Sequence, residues 1–101
     1  MLNKNLPYGL SPEAENDLEE IFDYTKKEFG VKQAESYLNS LADLIESLPS
    51  NPYIGKERNE IRDELYSILQ GKHLIFYRIL PNRIWVILVL HGNRDLPKYF
   101  L

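Results

Sequence analysis

The run HLIFYRIL at residues 73–80, followed by Pro81-Asn82 and then RIWVILVLH at residues 83–91, decides the fold. Both runs are rich in β-branched, aromatic and other apolar residues, and turn-forming residues separate them, so they read as adjacent antiparallel strands. Residues 66–69 precede them across Gln70-Gly71-Lys72, which extends the pair to a three-strand meander. Pro81 fixes a negative φ, so the second turn is not a primed two-residue type and a slightly longer loop is expected. Strict alternation along the last strand sends Ile84, Val86, Leu88 and Leu90 to one face and Trp85, Ile87, Val89 and His91 to the other. Both faces are then apolar. Whatever packs on one leaves the other to the tail at residues 96–101, a second copy or a partner's chain.

Upstream the pattern changes to a helical period. Ser11-Pro12-Glu13 reads as a helix start, with Ser as the cap, Pro at a position that loses no hydrogen bond, and an acid suited to the helix dipole. Ala14, Leu18, Ile21, Phe22, Thr25 and Phe29 form its apolar stripe. Gly30 is a natural C-terminal cap, and Ala34, Tyr37, Leu38, Leu41, Ala42, Ile45 and Leu48 restart the pattern at once, giving an antiparallel helical hairpin ended by Pro49 and Pro52. Residues 53–65 are polar and aperiodic, a loop or short helical turn. Residues 6–10 suit an edge strand, where Pro7 is tolerated. The fold expected is α+β: an N-terminal strand, then a two-helix hairpin packed on one face of a three- to four-stranded antiparallel sheet, forming one domain over residues 1–101.

Composition narrows the function classes. The 101 residues are 44% apolar and 27% charged, which is ordinary for a globular chain. The absence of cysteine excludes disulfides, thiolate zinc sites, iron–sulfur clusters and cysteine nucleophiles. His73 and His91 are the only histidines and show no metal-ligand spacing, so no metal or cofactor is expected. The longest apolar run, residues 84–90, is far short of the roughly 20 residues that cross a bilayer, and no signal peptide is visible, so a cytoplasmic protein with no membrane partner is expected. Residues 1–49 hold four Lys/Arg against ten Asp/Glu (net −6), and residues 50–101 hold eight against five (net +3). The basic half suits phosphate or an acidic peptide, but its excess is too small for direct binding of DNA by the chain alone.

Two constellations carry candidate chemistry. His91, Lys98 and Tyr99, with Arg94, could form a general acid/base and phosphate clamp for RNA cleavage; the bland alternative is a strand end followed by an Arg94–Asp95 turn. Arg58, Arg62, Arg78 and Arg94 form the second. Arg78 lies on the strand face of Leu74, Phe76 and Leu80, where a charge needs a partner: an internal acid among Glu57, Glu60, Asp63, Glu64 and Asp95, or the carboxylate of another chain. Tyr66 and Tyr99 are the tyrosines expected to be exposed.

Four strings in order extend this reading: Leu10-Ser11-Pro12-Glu13-Ala14-Glu15-x-Asp17-Leu18-x-x-Ile21-x-x-Tyr24, Asn51-Pro52-x-x-Gly55, Gly71-Lys72-His73-x-Ile75-Phe76-Tyr77-Arg78, and Val89-Leu90-His91-Gly92-x-Arg94-Asp95. Together they resemble the ParE branch of the RelE/ParE toxin superfamily across nearly the whole chain. The resemblance implies the toxin of a bacterial type II toxin–antitoxin pair, neutralised in a hetero-oligomer with a ParD-like antitoxin and acting on DNA gyrase without catalysis. Arg58, Arg62, Tyr66, Arg78, Arg94, Lys98, Tyr99 and Phe100 are then the expected antitoxin- or target-binding residues. The alternatives are a RelE-like mRNA interferase using His91, Lys98 and Tyr99 on the ribosome, and a nontoxic corepressor relative.

Overall fold

A computed structural model describes residues 8–93. The element order is β1 (Tyr8–Leu10), α1 (Pro12–Phe29), α2 (Val31–Ser47), two 3₁₀ turns (Leu48–Ser50 and Pro52–Ile54), β2 (Lys56–Glu57), β3 (Tyr66–Gln70), β4 (His73–Leu80) and β5 (Arg83–His91). The architecture is the expected α+β one, with a five-stranded sheet in the order β1-β5-β4-β3-β2. It is mixed rather than purely antiparallel, because β1 runs parallel to β5 with Tyr8 opposite Ile84 and Leu10 opposite Val86. The short strand β2 comes from the stretch expected to be loop; it pairs Lys56 with Ser67 and Glu57 with Tyr66.

The helices begin and end where their local chemistry dictates. Ser11 accepts from the Ala14 N–H at 2.9 Å, Glu13 and Glu15 sit in the first turn, and Lys26 and Lys27 sit in the last. Gly30, at φ 94°, joins α1 to α2 alone: its N–H donates to Lys26 and its carbonyl accepts from Ala34. So tight a joint leaves no room to bury the hairpin tip, and Phe29, expected on the apolar stripe, is 69% exposed. Ala14, Ile21, Leu41, Ile45 and Leu48 meet Ile75, Tyr77, Ile84, Val86 and Val89 in the main core between helices and sheet.

Two turns show how backbone preference and pairing compete. At Gly71-Lys72, φ is positive (60°) at the glycine only, as a II′ turn requires between Gln70 and His73. Between Leu80 and Arg83 the loop is not lengthened; Pro81-Asn82 alone connects the paired residues, with positive φ at neither. The proline excludes a primed turn as expected, but the long β4–β5 ladder closes over an unprimed one.

Ladder register carries the larger correction. Phe76 pairs with Leu88 while Tyr77 pairs with Val86, so Ile87 is the extra residue of a β-bulge. Alternation therefore breaks at Ile87. Ile84, Val86 and Val89 face the helices, whereas Leu88 and Leu90 join Leu65, Phe76, Leu74 and Ile61 on the other face. That second face is covered in part by the chain between β2 and β3, which lays Ile61 and Leu65 on Phe76 and Leu90; Leu69 stays 62% exposed. Pro7 and the tail at residues 96–101 lie outside the described residues.

Ser11 holds the bulge in place: its N–H donates to Val86 O at 2.9 Å and its hydroxyl to Ile87 O at 2.6 Å. Asp17 accepts from the Val89 N–H at 2.9 Å, extending the clasp to the second turn of α1. Ser11→Ala removes the helix cap and orphans the Ile87 carbonyl, and is expected to lower stability by about 1–3 kcal/mol, measured by chemical denaturation.

Candidate functional site

The sheet face away from the helices gathers arginines among aromatic rings. Arg78 on β4 lies directly across from Trp85 on β5. Arg83 lies on the same side of β5, two residues before Trp85, and its guanidinium sits over the indole with Cζ 4.6 Å from the ring centroid. Gly9 on β1 makes room for this stack, because a Cβ there would come within 2.9 Å of the indole. Arg58, just past β2, donates to Glu60 at 2.7 Å and to the buried hydroxyl of Ser67 at 3.1 Å, and lies 5.9 Å from the Phe76 ring centroid. The Arg58 hydrogen bond is the main reason the Glu60 carboxyl is held below its ordinary range.

Arg78 has an internal partner from among the candidate acids: its Nη2 donates to Glu64 Oε1 at 2.9 Å. Its Nε–H is buried and makes no hydrogen bond. Glu64 reaches Arg78 from a left-handed backbone conformation (φ 64°), closed by a 3.2 Å bond from its own N–H to the Asn59 side chain. The same segment is tied back by Arg58 N–H to Leu65 O at 2.7 Å and Ile61 N–H to Arg58 O at 2.9 Å. It is a stapled turn that delivers Arg58 and Glu64 to the open face.

Of the sequence-derived site residues, Arg58 and Arg78 are brought together on this face. Arg62 is exposed on the stapled turn. Tyr66 departs from expectation in being half-buried rather than exposed; it lies on the opposite side of the sheet, stacked on Tyr77 at 5.6 Å. Burial, then Glu57, raises its phenol pKa. His91 also belongs to the helix side, where its ring meets His73 at 5.3 Å; His73 Nδ1 lies 2.7 Å from the Tyr37 hydroxyl. Arg94, Lys98, Tyr99 and Phe100 lie outside the described residues. Arg83 and Trp85 were missed, although their i, i+2 spacing on a strand already placed them on one face.

Tyr77 fixes where the stapled turn starts. Fully buried, it donates to Pro52 O at 2.8 Å and accepts from the Gly55 N–H at 3.0 Å. A Cβ on Gly55 would lie 2.5 Å from this hydroxyl, so glycine is needed for the approach. Burial raises the Tyr77 pKa, opposed by the Gly55 hydrogen bond.

On the helix side, a groove of about 850 Å³ runs between α1 and the β5 edge beyond β1, lined by Asp17, Glu20, Tyr24, His73 and His91 among others. Among the described residues no group of three or more His, Cys, Asp or Glu could hold a metal ion, and no helix is long and apolar enough to cross a membrane.

A helical hairpin on one face of such a sheet defines the RelE/ParE fold. Solved structures that share it are the chromosomal ParDE system from P. aeruginosa (TM-score 0.74, 13% identity, 88% of this chain and 98% of that one) and the YoeB dimer from Staphylococcus aureus (TM-score 0.60, 18% identity, 86% and 97%). Within that fold the sequence is more specific. The family described as ParE toxin of type II toxin-antitoxin system, parDE, matches residues 8–96. Toxin ParE1 of Mycobacterium tuberculosis (strain ATCC 25618 / H37Rv) is 41% identical over 92 residues, covering 90% of this chain and 94% of the relative. Toxin ParE1 of Caulobacter vibrioides is 35% identical over 89 residues, covering 88% and 92%. The chain belongs to the ParE toxin family of type II toxin–antitoxin systems.

Tyr77→Phe leaves Pro52 O and Gly55 N–H without their partner and is expected to lower stability by about 1–3 kcal/mol. A raised phenol pKa stabilises the fold below the ordinary tyrosine value of about 10 and loses that contribution as pH rises through the folded value. Thermal melts above pH 10 should therefore fall less steeply for Tyr77→Phe than for the parent, with a residual slope because Tyr8 and Tyr66 are raised too.

Proposed function

We propose that this ParE toxin arrests growth by inhibiting DNA gyrase without itself catalysing a reaction, and that it is neutralised in the cytoplasm by a ParD-like antitoxin. The observation that carries this reading is the separation of the polar groups among the described residues. A nuclease built on His91 needs donors converging on a phosphate near that ring. Here His91 faces His73 on the helix side, while Arg58, Arg78 and Arg83 lie on the opposite face, held by Glu60, Glu64 and Trp85. An ordered face of arginines and aromatic rings suits recognition of an acidic, apolar protein segment. The ParDE structure and the YoeB-YefM complex from Staphylococcus aureus, which shares the fold at TM-score 0.56, support an antitoxin as the occupant.

In this reading Arg58 and Arg78, with Arg62 and Arg94 nearby in sequence to one or other end of the sheet, receive the antitoxin's acids. Lys98, Tyr99 and Phe100 belong to the target-facing tail, and Tyr66 serves whichever partner reaches the β2–β3 edge. Deleting residues 99–101 should abolish toxicity while antitoxin binding and the melting temperature are kept; a collapsed melt would assign the tail to the core instead.

Induced expression without antitoxin, with pulse-labelling of new DNA and new protein in one culture, tests the target. Early arrest of DNA synthesis is expected, together with loss of supercoiling by purified gyrase that antitoxin restores. Early arrest of protein synthesis would overturn the gyrase reading in favour of mRNA cleavage, and undisturbed growth with soluble protein would leave a binding or corepressor relative.

A further inference from the structure

Arg78 uses half of its carboxylate-binding edge. In a guanidinium the Nε–H and one Nη2 hydrogen point the same way and together match the two oxygens of a carboxylate. Glu64 takes Nη2 alone, at 2.9 Å, and the neighbouring Nε–H has no acceptor and is shielded from solvent. A buried donor left unpaired beside an acid within reach shows that the acid is poorly placed. Glu64 reaches from a turn pinned by Asn59, Arg58 and Leu65, in a left-handed conformation unfavourable for a residue with a Cβ, and its side chain is 74% exposed.

We infer that Glu64 is an internal competitor for the Arg78 carboxylate site: it holds one half of the fork in the free protein and is displaced when an acid of the antitoxin takes both halves. The inference rests on the reading of the open face as the antitoxin's seat. Displacement follows from two facts. Two carboxylates on one guanidinium edge repel each other, so the incoming acid and Glu64 exclude one another. The Nε–H is covered, so the side chain must swing outward to offer it, and that requires Glu64 to let go. The exchange is favourable because two aligned hydrogen bonds replace one. Glu64 thereby raises the discrimination of the face, since a segment offering an amide or hydroxyl in place of an acid does not compensate for the pair it must break.

The test is calorimetric titration of the wild type, Glu64→Gly, Glu64→Gln, Arg78→Ala and the Glu64→Gly/Arg78→Ala double variant with its full-length cognate ParD-like antitoxin. Glycine keeps the left-handed turn and removes the acid; glutamine keeps the side chain's size and removes its charge, and decides the matter if the glycine variant does not fold. Removing an exposed competitor of this kind should tighten binding roughly two- to five-fold, less at high salt. Arg78→Ala should weaken binding, and Glu64→Gly should have no effect in its background. Unchanged or weaker binding by folded Glu64→Gly and Glu64→Gln, or a tightening that persists without Arg78, would overturn the exchange and leave the antitoxin reading intact. Failure of the wild type to bind the antitoxin would overturn both.

Discussion

The clasp between Ser11 and the bulged strand β5 is the constraint on which the rest of this structure depends. One residue ends β1, caps α1 and satisfies the carbonyl that the bulge at Ile87 leaves without a ladder partner. Because the bulge reverses the inside–outside sense of β5, it gives Val89 to the helix-side core and Leu88 and Leu90 to the open face. Without it, the last third of the strand would present the wrong residues to both layers. A serine hydroxyl that both accepts and donates suits this junction.

The sheet separates the two charge-biased halves of the sequence in space. The acidic first half becomes α1 and α2 on one side, and Arg58, Arg78 and Arg83 of the second half reach the other. Arg58 is braced by Glu60 and Ser67, Arg78 by Glu64, and Arg83 by the Trp85 indole. Arg58 and Arg83 are thus ordered before a partner arrives, which lowers the entropy lost on association.

Most of the architecture was legible because its signals are local: a serine cap followed by proline, a glycine between two periodic stripes, and apolar runs divided by turn residues. What was not legible depends on distant contacts. The bulge has no signature in residues 84–90, since each is apolar enough for either face, and Ser11, 76 residues away from Ile87, together with Asp17 selects one. Strand β2 is two residues long and exists because Ser67 and Tyr66 offer it an edge. Arg58 and Arg78 were identifiable as charges needing partners, but the choice of Glu64 over Glu57, Glu60 or Asp63 required the left-handed turn. Tyr66 was expected to be exposed, and its half-burial comes from the rings of Tyr53 and Tyr77, which lie more than ten residues away in sequence.

The parallel pairing of β1 with β5 has a consequence for the order of folding. The first described strand completes its hydrogen bonds only with residues 84–86, near the other end of the described chain. The helical hairpin and the β3–β4–β5 meander are built from near neighbours and can form quickly, whereas closing β1 onto β5 must overcome the entropy of a long loop. As the chain is synthesised, β1 therefore waits for almost all the other elements to appear. The sheet is sealed late, and until then the β5 edge is open to competing strands.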